Sequence, residues 1–300
     1  MSCQEVTMHV MLALFAVVSS GIAADNWGYG PSKSGVSGPD DWASAYPECK
    51  GQAQSPINIV TSKVTRVSRP FRYMKINFNN YNGGLACFLS NDGKTLDFKV
   101  RQGLGQAFID DPVEDPHDRY QLETVRFHFG CNDWLGSEHA VDGRRHPGEI
   151  QMIFHNTKYS NVSDAADKSD GLLVVAAFMR KHPFWSSPAI KNLAKSYLGF
   201  GKVKKEGSVT PVFLIMEDLI KGIYRGMLPY YSYKGSQTAP ACHESVRWII
   251  VKQPVDIYRD EMAYLRRLES SSGKNGKLCD NFRPILYPLN GRTVYEWYRL

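Results

Sequence analysis

Apolar residues along this chain recur mostly with a period of two, in short runs punctuated by turn-forming residues. Segments 75–78, 85–89, 95–100, 124–129, 149–154, 172–178 and 246–251 alternate in this way or are apolar throughout, and predict strands. Between strands, Asn82-Gly83-Gly84, Asn91-Asp92-Gly93 and Val141-Asp142-Gly143 supply short turns, so mostly antiparallel connections follow. Helical spacing is rarer. Segments 188–198 and 260–268 place apolar residues three and four apart, enough for short surface helices. With no internal repeat and no linker, the pattern predicts one mainly β domain.

The N-terminal stretch differs. Residues 10–18 form an apolar run, and Ser19-Ser20-Gly21-Ile22-Ala23-Ala24 offers the small residues of a cleavage site, so residues 1–24 read as a signal peptide. The run is shorter than the ~20 residues that span a bilayer. Residues 171–179 read as a buried strand, and Trp297-Tyr298-Arg299-Leu300 forms no hydrophobic tail. The expectation is a secreted domain over 25–300 with no membrane anchor. Residues 25–56, rich in Gly, Pro, Ser and Trp, predict irregular chain wrapped on its surface.

Composition adds limits. Hydrophobic residues at 43% and charged residues at 22% are those of an ordinary folded domain. The net charge of +6 is mild, and the basic runs Lys202-Val203-Lys204-Lys205 and Arg144-Arg145 lack the interleaved aromatics of a nucleic-acid groove. No nucleic-acid partner is expected. Of six cysteines, Cys3 leaves with the leader, and the absence of Cys-x-x-Cys argues against a zinc ribbon. Asn161-Val162-Ser163 is a glycosylation sequon.

The chemistry concentrates in Val125-Arg126-Phe127-His128-Phe129-Gly130, Gly136-Ser137-Glu138-His139 and Glu149-Ile150-Gln151-Met152-Ile153-Phe154. Around them, in order, stand Trp27-Gly28-Tyr29-Gly30, Gln54-Ser55-Pro56-Ile57-Asn58-Ile59, Tyr233-x-Gly235-Ser236-x-Thr238-x-Pro240 and Asn281-x-Arg283-Pro284. Together these motifs resemble the α-carbonic anhydrases over essentially the whole mature chain. The resemblance implies that family's fold, a single domain around a large central, mostly antiparallel twisted sheet.

It also implies a zinc site of three histidines, two of them in a His-x-His strand that presents both rings on one face. On that reading His128 matches the first ligand, Gly130 stands at the second and Gln151 at the third. Glycine has no side chain to offer, and a neutral carboxamide substitutes poorly for imidazole. Zinc is therefore expected to be lost, leaving no cofactor. Cys131 and His155 are not placed to replace the missing ligands. Without the metal, water near pKa 15.7 is ionised roughly nine orders of magnitude less than zinc-bound water near pKa 7. A positioned acid or base recovers only about 10²–10⁴ of that. No catalytic residue is expected, and the chain reads as a degenerate carbonate dehydratase unless zinc is held by relocated ligands.

By the same resemblance, Glu138 and Thr238 form the relay that would orient zinc hydroxide, Glu149 buttresses the third ligand, and His139 belongs to the same buried polar network. Gly84 stands where active members often carry a proton-shuttling histidine, and Gln237 where the substrate pocket usually has leucine. Ile153, Val174 and Trp248 match the pocket's apolar wall. Cys49 and Cys242 match the disulfide of secreted members. For Cys87, Cys131 and Cys279, burial as free thiols is the first expectation; the alternatives are that two of them pair, or that an exposed one links to another chain, with Cys279 the candidate.

Within the family the pattern is closest to the secreted, inactive carbonic anhydrase-related proteins. That implies a pseudoenzyme acting as an extracellular binding module for a secreted or cell-surface protein. A component of extracellular or mineralising matrix and an active enzyme with relocated ligands are the alternatives.

Overall fold

The computed structural model describes residues 26–33, 35–68, 74–79, 83–195, 199–226 and 228–298. The predicted leader, Asn82 of the first predicted turn, and residues 196–198 of the first predicted helix lie outside them.

Fourteen strands run in chain order: β1 Asn58–Ile59, β2 Thr65–Val67, β3 Ile76–Phe78, β4 Gly84–Asn91, β5 Leu96–Val100, β6 Ala107–Asp110, β7 Arg119–Phe129, β8 Ala140–Val141, β9 Gly148–Asn156, β10 Leu172–His182, β11 Val209–Ile215, β12 Tyr230–Gly235, β13 Val246–Tyr258 and β14 Tyr295–Trp297. All seven predicted strands are present. Twelve of the fourteen form one sheet in the order β11-β4-β5-β7-β9-β10-β13-β12-β14-β2, with β6 beside β7 and β3 beside β6; β1 and β8 pair separately. The long neighbours β7, β9 and β10 are antiparallel. At the centre β10 and β13 run parallel, covered on both faces, which explains the unbroken apolar run of β10.

Alternation sorts side chains to two faces. Ile150, Met152 and Phe154 of β9 join Leu173, Val175 and Ala177 of β10 in the larger core. Leu172, Val174, Ala176 and Phe178 turn the other way, toward Trp248 and Ile250 of β13. Glu149, Gln151 and Ile153 share that second face, so the polar site is a break in an otherwise apolar layer.

The elements missed in the sequence are those with weak alternation. β11 contains Pro211, tolerated on an edge strand but a strand breaker by pattern, and Ser232 and Lys234 interrupt β12. The predicted helices appear as α3 Pro188–Ala194 and α5 Arg259–Leu265; the one-turn helices α1 Trp42–Ala45, α2 Val162–Ala165 and α4 Met216–Leu219 are too short for a period to show.

The N-terminal segment wraps as expected and is pinned by Trp42, fully buried, whose indole N–H donates to the carbonyls of Gly28 and Ser37. Beside it lies the disulfide Cys49–Cys242, as the resemblance implied. Of the remaining three cysteines, two differ from the first expectation. Cys131 and Cys279 are joined in a second disulfide, so Cys279 has no thiol for another chain, and among the described residues Cys87 alone stays free, and buried. Although 148 residues apart in sequence, the two are brought together as Asp280 N–H donates to Phe129 O and Asp280 Oδ1 accepts from Cys131 N–H. Burial pushes the Cys87 thiol up to about 12.

Candidate functional site

The β7/β9 register sets the site. Arg126 lies opposite Gln151, and His128 lies opposite Glu149. By the period of two, Arg126 and His128 share one face of β7, next to the face of β9 that carries Glu149 and Gln151.

Gly130 falls outside this arrangement, which corrects its expected place in the ligand set. It follows the end of β7, and a Cβ built there would lie 1.6 Å from the backbone oxygen of Leu135. No side chain fits at that position. The residue paired with His128 at a spacing of two, and facing Gln151, is Arg126. Sequence reasoning passed over it because arginine is not a metal ligand; the X-x-His spacing counted backward from His128 was the available signal.

Arg126 is held by Asp97 of β5, its register partner. Its Nε and one terminal nitrogen donate to the two carboxylate oxygens at 2.9 and 2.8 Å, with Asp97 nearly fully buried. Burial alone would raise the Asp97 carboxyl, but the charge and hydrogen bonds of Arg126 outweigh it and hold the group below the ordinary carboxylate range.

Gln151 spends its amide nitrogen on two carboxylates, donating to Glu138 Oε2 at 2.7 Å and to Glu149 Oε1 at 3.0 Å. Both acceptors lack protons when ionised, which fixes the orientation of the amide. Glu138 also accepts the backbone N–H of Arg283 at 3.0 Å. No hydrogen bond joins Thr238 to Glu138 among the described residues; Gln151 takes that place, so the expected Glu138–Thr238 relay does not form.

Glu149 anchors a proton-ordered chain. His139 donates to it from the backbone N–H at 2.8 Å and from Nδ1 at 2.9 Å. The other ring nitrogen lies 2.6 Å from Tyr233 Oη, which lies 2.9 Å from Ser55 Oγ, and that hydroxyl accepts the Ser236 N–H. Because Glu149 only accepts, the order runs Ser236 to Ser55 to Tyr233 to His139 to Glu149. Burial would raise Glu149, but His139 and Gln151 lower its pKa to about 2.

His128 is fully buried. Its Nδ1 donates to Asn281 O at 2.6 Å, while Nε2 has no hydrogen-bond partner and lies 3.5 Å from Glu138 Oε2. Tyr29 packs edge-on against the ring, and its buried hydroxyl is also unpartnered.

A zinc ion does not fit these residues. Arg126 brings a fixed cation and no lone pair, Gln151 faces its acceptors with N–H groups, and only His128 Nε2 has the character of a ligand. Among the described residues no group of three or more His, Cys, Asp or Glu is arranged to hold a metal ion.

Around the site, Val174 and Trp248 are buried and Ile153 half-buried in the second layer. Gln237 turns its amide to Ala166 O at 3.0 Å. At Gly84 the ring of Phe213 lies 2.3 Å from where a Cβ would stand, so this position has room for Phe213 only while it stays glycine. Asn161 caps α2, accepting from Ser163 and Asp164 N–H, and is exposed.

A family model described as eukaryotic-type carbonic anhydrase matches residues 37–298. Carbonic anhydrase 1 of Mus musculus is 34% identical over 277 residues, covering 91% of this chain and 98% of the relative. Carbonic anhydrase 3 of Homo sapiens is 29% identical, covering 90% and 98%, and human carbonic anhydrase 7 is 30% identical, covering 91% and 97%.

Proposed function

This chain belongs to the eukaryotic-type carbonic anhydrase family, and we propose that within it the chain is a non-catalytic member, secreted and working as an extracellular protein-binding module. The observation that carries this reading is the pair of substitutions facing each other across the ladder, Arg126 locked to Asp97 and Gln151 locked to Glu138 and Glu149. Each is satisfied by protein partners, so the positions serve packing rather than a metal. Zinc supplies the hydroxide of this chemistry, and nothing else in the buried network offers a comparable nucleophile at neutral pH.

The two disulfides support an oxidising compartment, and the sequon at Asn161 sits on an exposed helix cap where a glycan would meet solvent. The competing reading is an active zinc hydratase, favoured by the names of the relatives. Elemental analysis for zinc, alongside carbon dioxide hydration with added zinc, separates the two. The pseudoenzyme reading expects no bound metal and no turnover; one zinc per chain with turnover overturns it.

A further inference from the structure

We infer that a lysine-rich face built from two neighbouring loops is a binding surface for a sulfated polysaccharide. Residues 202–206 and 267–277 carry Lys202, Lys204, Lys205, Arg267, Lys274 and Lys277 against only Glu206 and Glu269, an excess of four positive charges in a chain whose net charge is +6. The fold sets the loops side by side. Glu269 N–H donates to Lys204 O at 2.8 Å, the Asn91 amide bridges Val203 O and Glu269 O at 3.2 and 3.0 Å, and Ser271 N–H donates to Glu206.

The two carboxylates are already engaged. Glu206 accepts from Ser271, and Glu269 lies 3.3 Å from Lys204 Nζ. Among the described residues no carboxylate pairs with Lys202, Lys205, Arg267, Lys274 or Lys277, and all but Lys277 are exposed. The backbone is braced by the Glu269–Lys277 bridge, so these charges are displayed on an ordered support.

The surroundings select the kind of anion. A protein interface needs buried apolar anchors, and the exposed large hydrophobic residues, such as Trp134, Phe184 and Phe213, lie on other segments. Between the cations stand Gly201, Ser271, Ser272, Gly273, Asn275 and Gly276. Among the described residues the one aromatic ring lying against these cations, Tyr264, is partly buried and already covered by the Arg267 guanidinium at 5.3 Å, so no open ring is offered to stack a base, and neither loop carries an exposed apolar wedge to enter a bilayer. A hydrophilic chain bearing sulfate esters matches what remains: dispersed cations with short polar and glycine residues between them.

The test is binding to immobilised heparin in 0.15 M salt, comparing the protein with a K202Q/K205Q/K274Q variant and a K50Q/K63Q/K99Q control of equal charge. Retention of the parent protein is expected. The loop variant should lose roughly tenfold or more in affinity, with a shallower dependence on salt, and the control should change less than about twofold. Failure of the parent to bind, equal losses in both variants, or equal binding to desulfated heparin, double-stranded DNA or phosphatidylserine vesicles overturns the proposal. The result is independent of zinc content, so it stands or falls apart from the non-catalytic reading.

Discussion

Arg126 and Gln151 face each other across two antiparallel strands, and each binds carboxylate rather than metal. Their partners, Asp97, Glu138 and Glu149, are all buried, so the site is a set of carboxylates held by one guanidinium and by neutral hydrogen-bond donors, whose members depend on one another.

Removing one member of a buried pair strands the other. Arg126→Met should therefore destabilise by about 3–5 kcal/mol at neutral pH, read from urea unfolding. The double variant D97N/R126M should lose much less than the two single losses added. Strict additivity would show that the pair is not coupled.

Three changes together should rebuild a metal site. The D97N/R126H/Q151H variant places imidazoles at 126, 128 and 151 without leaving Asp97 charged and alone. Calorimetry should find one zinc per chain for this variant and none for either histidine change alone. Absence of zinc in the triple variant would show that the backbone, and not only the side chains, has left the tetrahedral arrangement.

Glu149 makes stability depend on acid. Its pKa falls from an ordinary 4.5 to about 2 in the folded chain, so its contribution is complete above pH 4.5 and is lost as pH falls toward 2. That shift corresponds to about 3 kcal/mol. Unfolding at pH 7, 4.5 and 3 should show the stability gap between the parent and Glu149→Gln narrowing as pH drops. A gap constant across this range would assign the effect to packing.

The Cys131–Cys279 link closes a long loop in the unfolded chain. The C131S/C279S variant should unfold about 2–5 kcal/mol more readily. Peptide mapping without reduction should recover the linked pair, while Cys87 reacts with thiol reagents only after denaturation. A disulfide-linked dimer through Cys279 would contradict the structure.

Much of this was legible in the sequence because hydrophobic patterning is a local signal: β7 and β9 announce themselves through residues two apart, and β10 and β13 through runs that are almost wholly apolar. Gly130 shows where local reading stops. Its motif position suggested a lost ligand, but its role is set by Leu135, folded back against it, and Arg126 lay in plain sight within the same motif. Cys131 and Cys279 were likewise unpairable by inspection, since the contact depends on a loop of irregular chain that no periodicity encodes. The expected Glu138–Thr238 contact rests on resemblance; in the fold both Glu138 oxygens accept from other donors, Gln151 and the Arg283 backbone.

The Asp97–Arg126 pair also limits which single substitutions the site tolerates. Histidine at 126 alone would leave a buried carboxylate uncompensated, and a change at Asp97 alone would strand the guanidinium beside it. Each single step toward a metal site is therefore penalised before a second can compensate it, so the pair acts as a latch that only two changes made together can open.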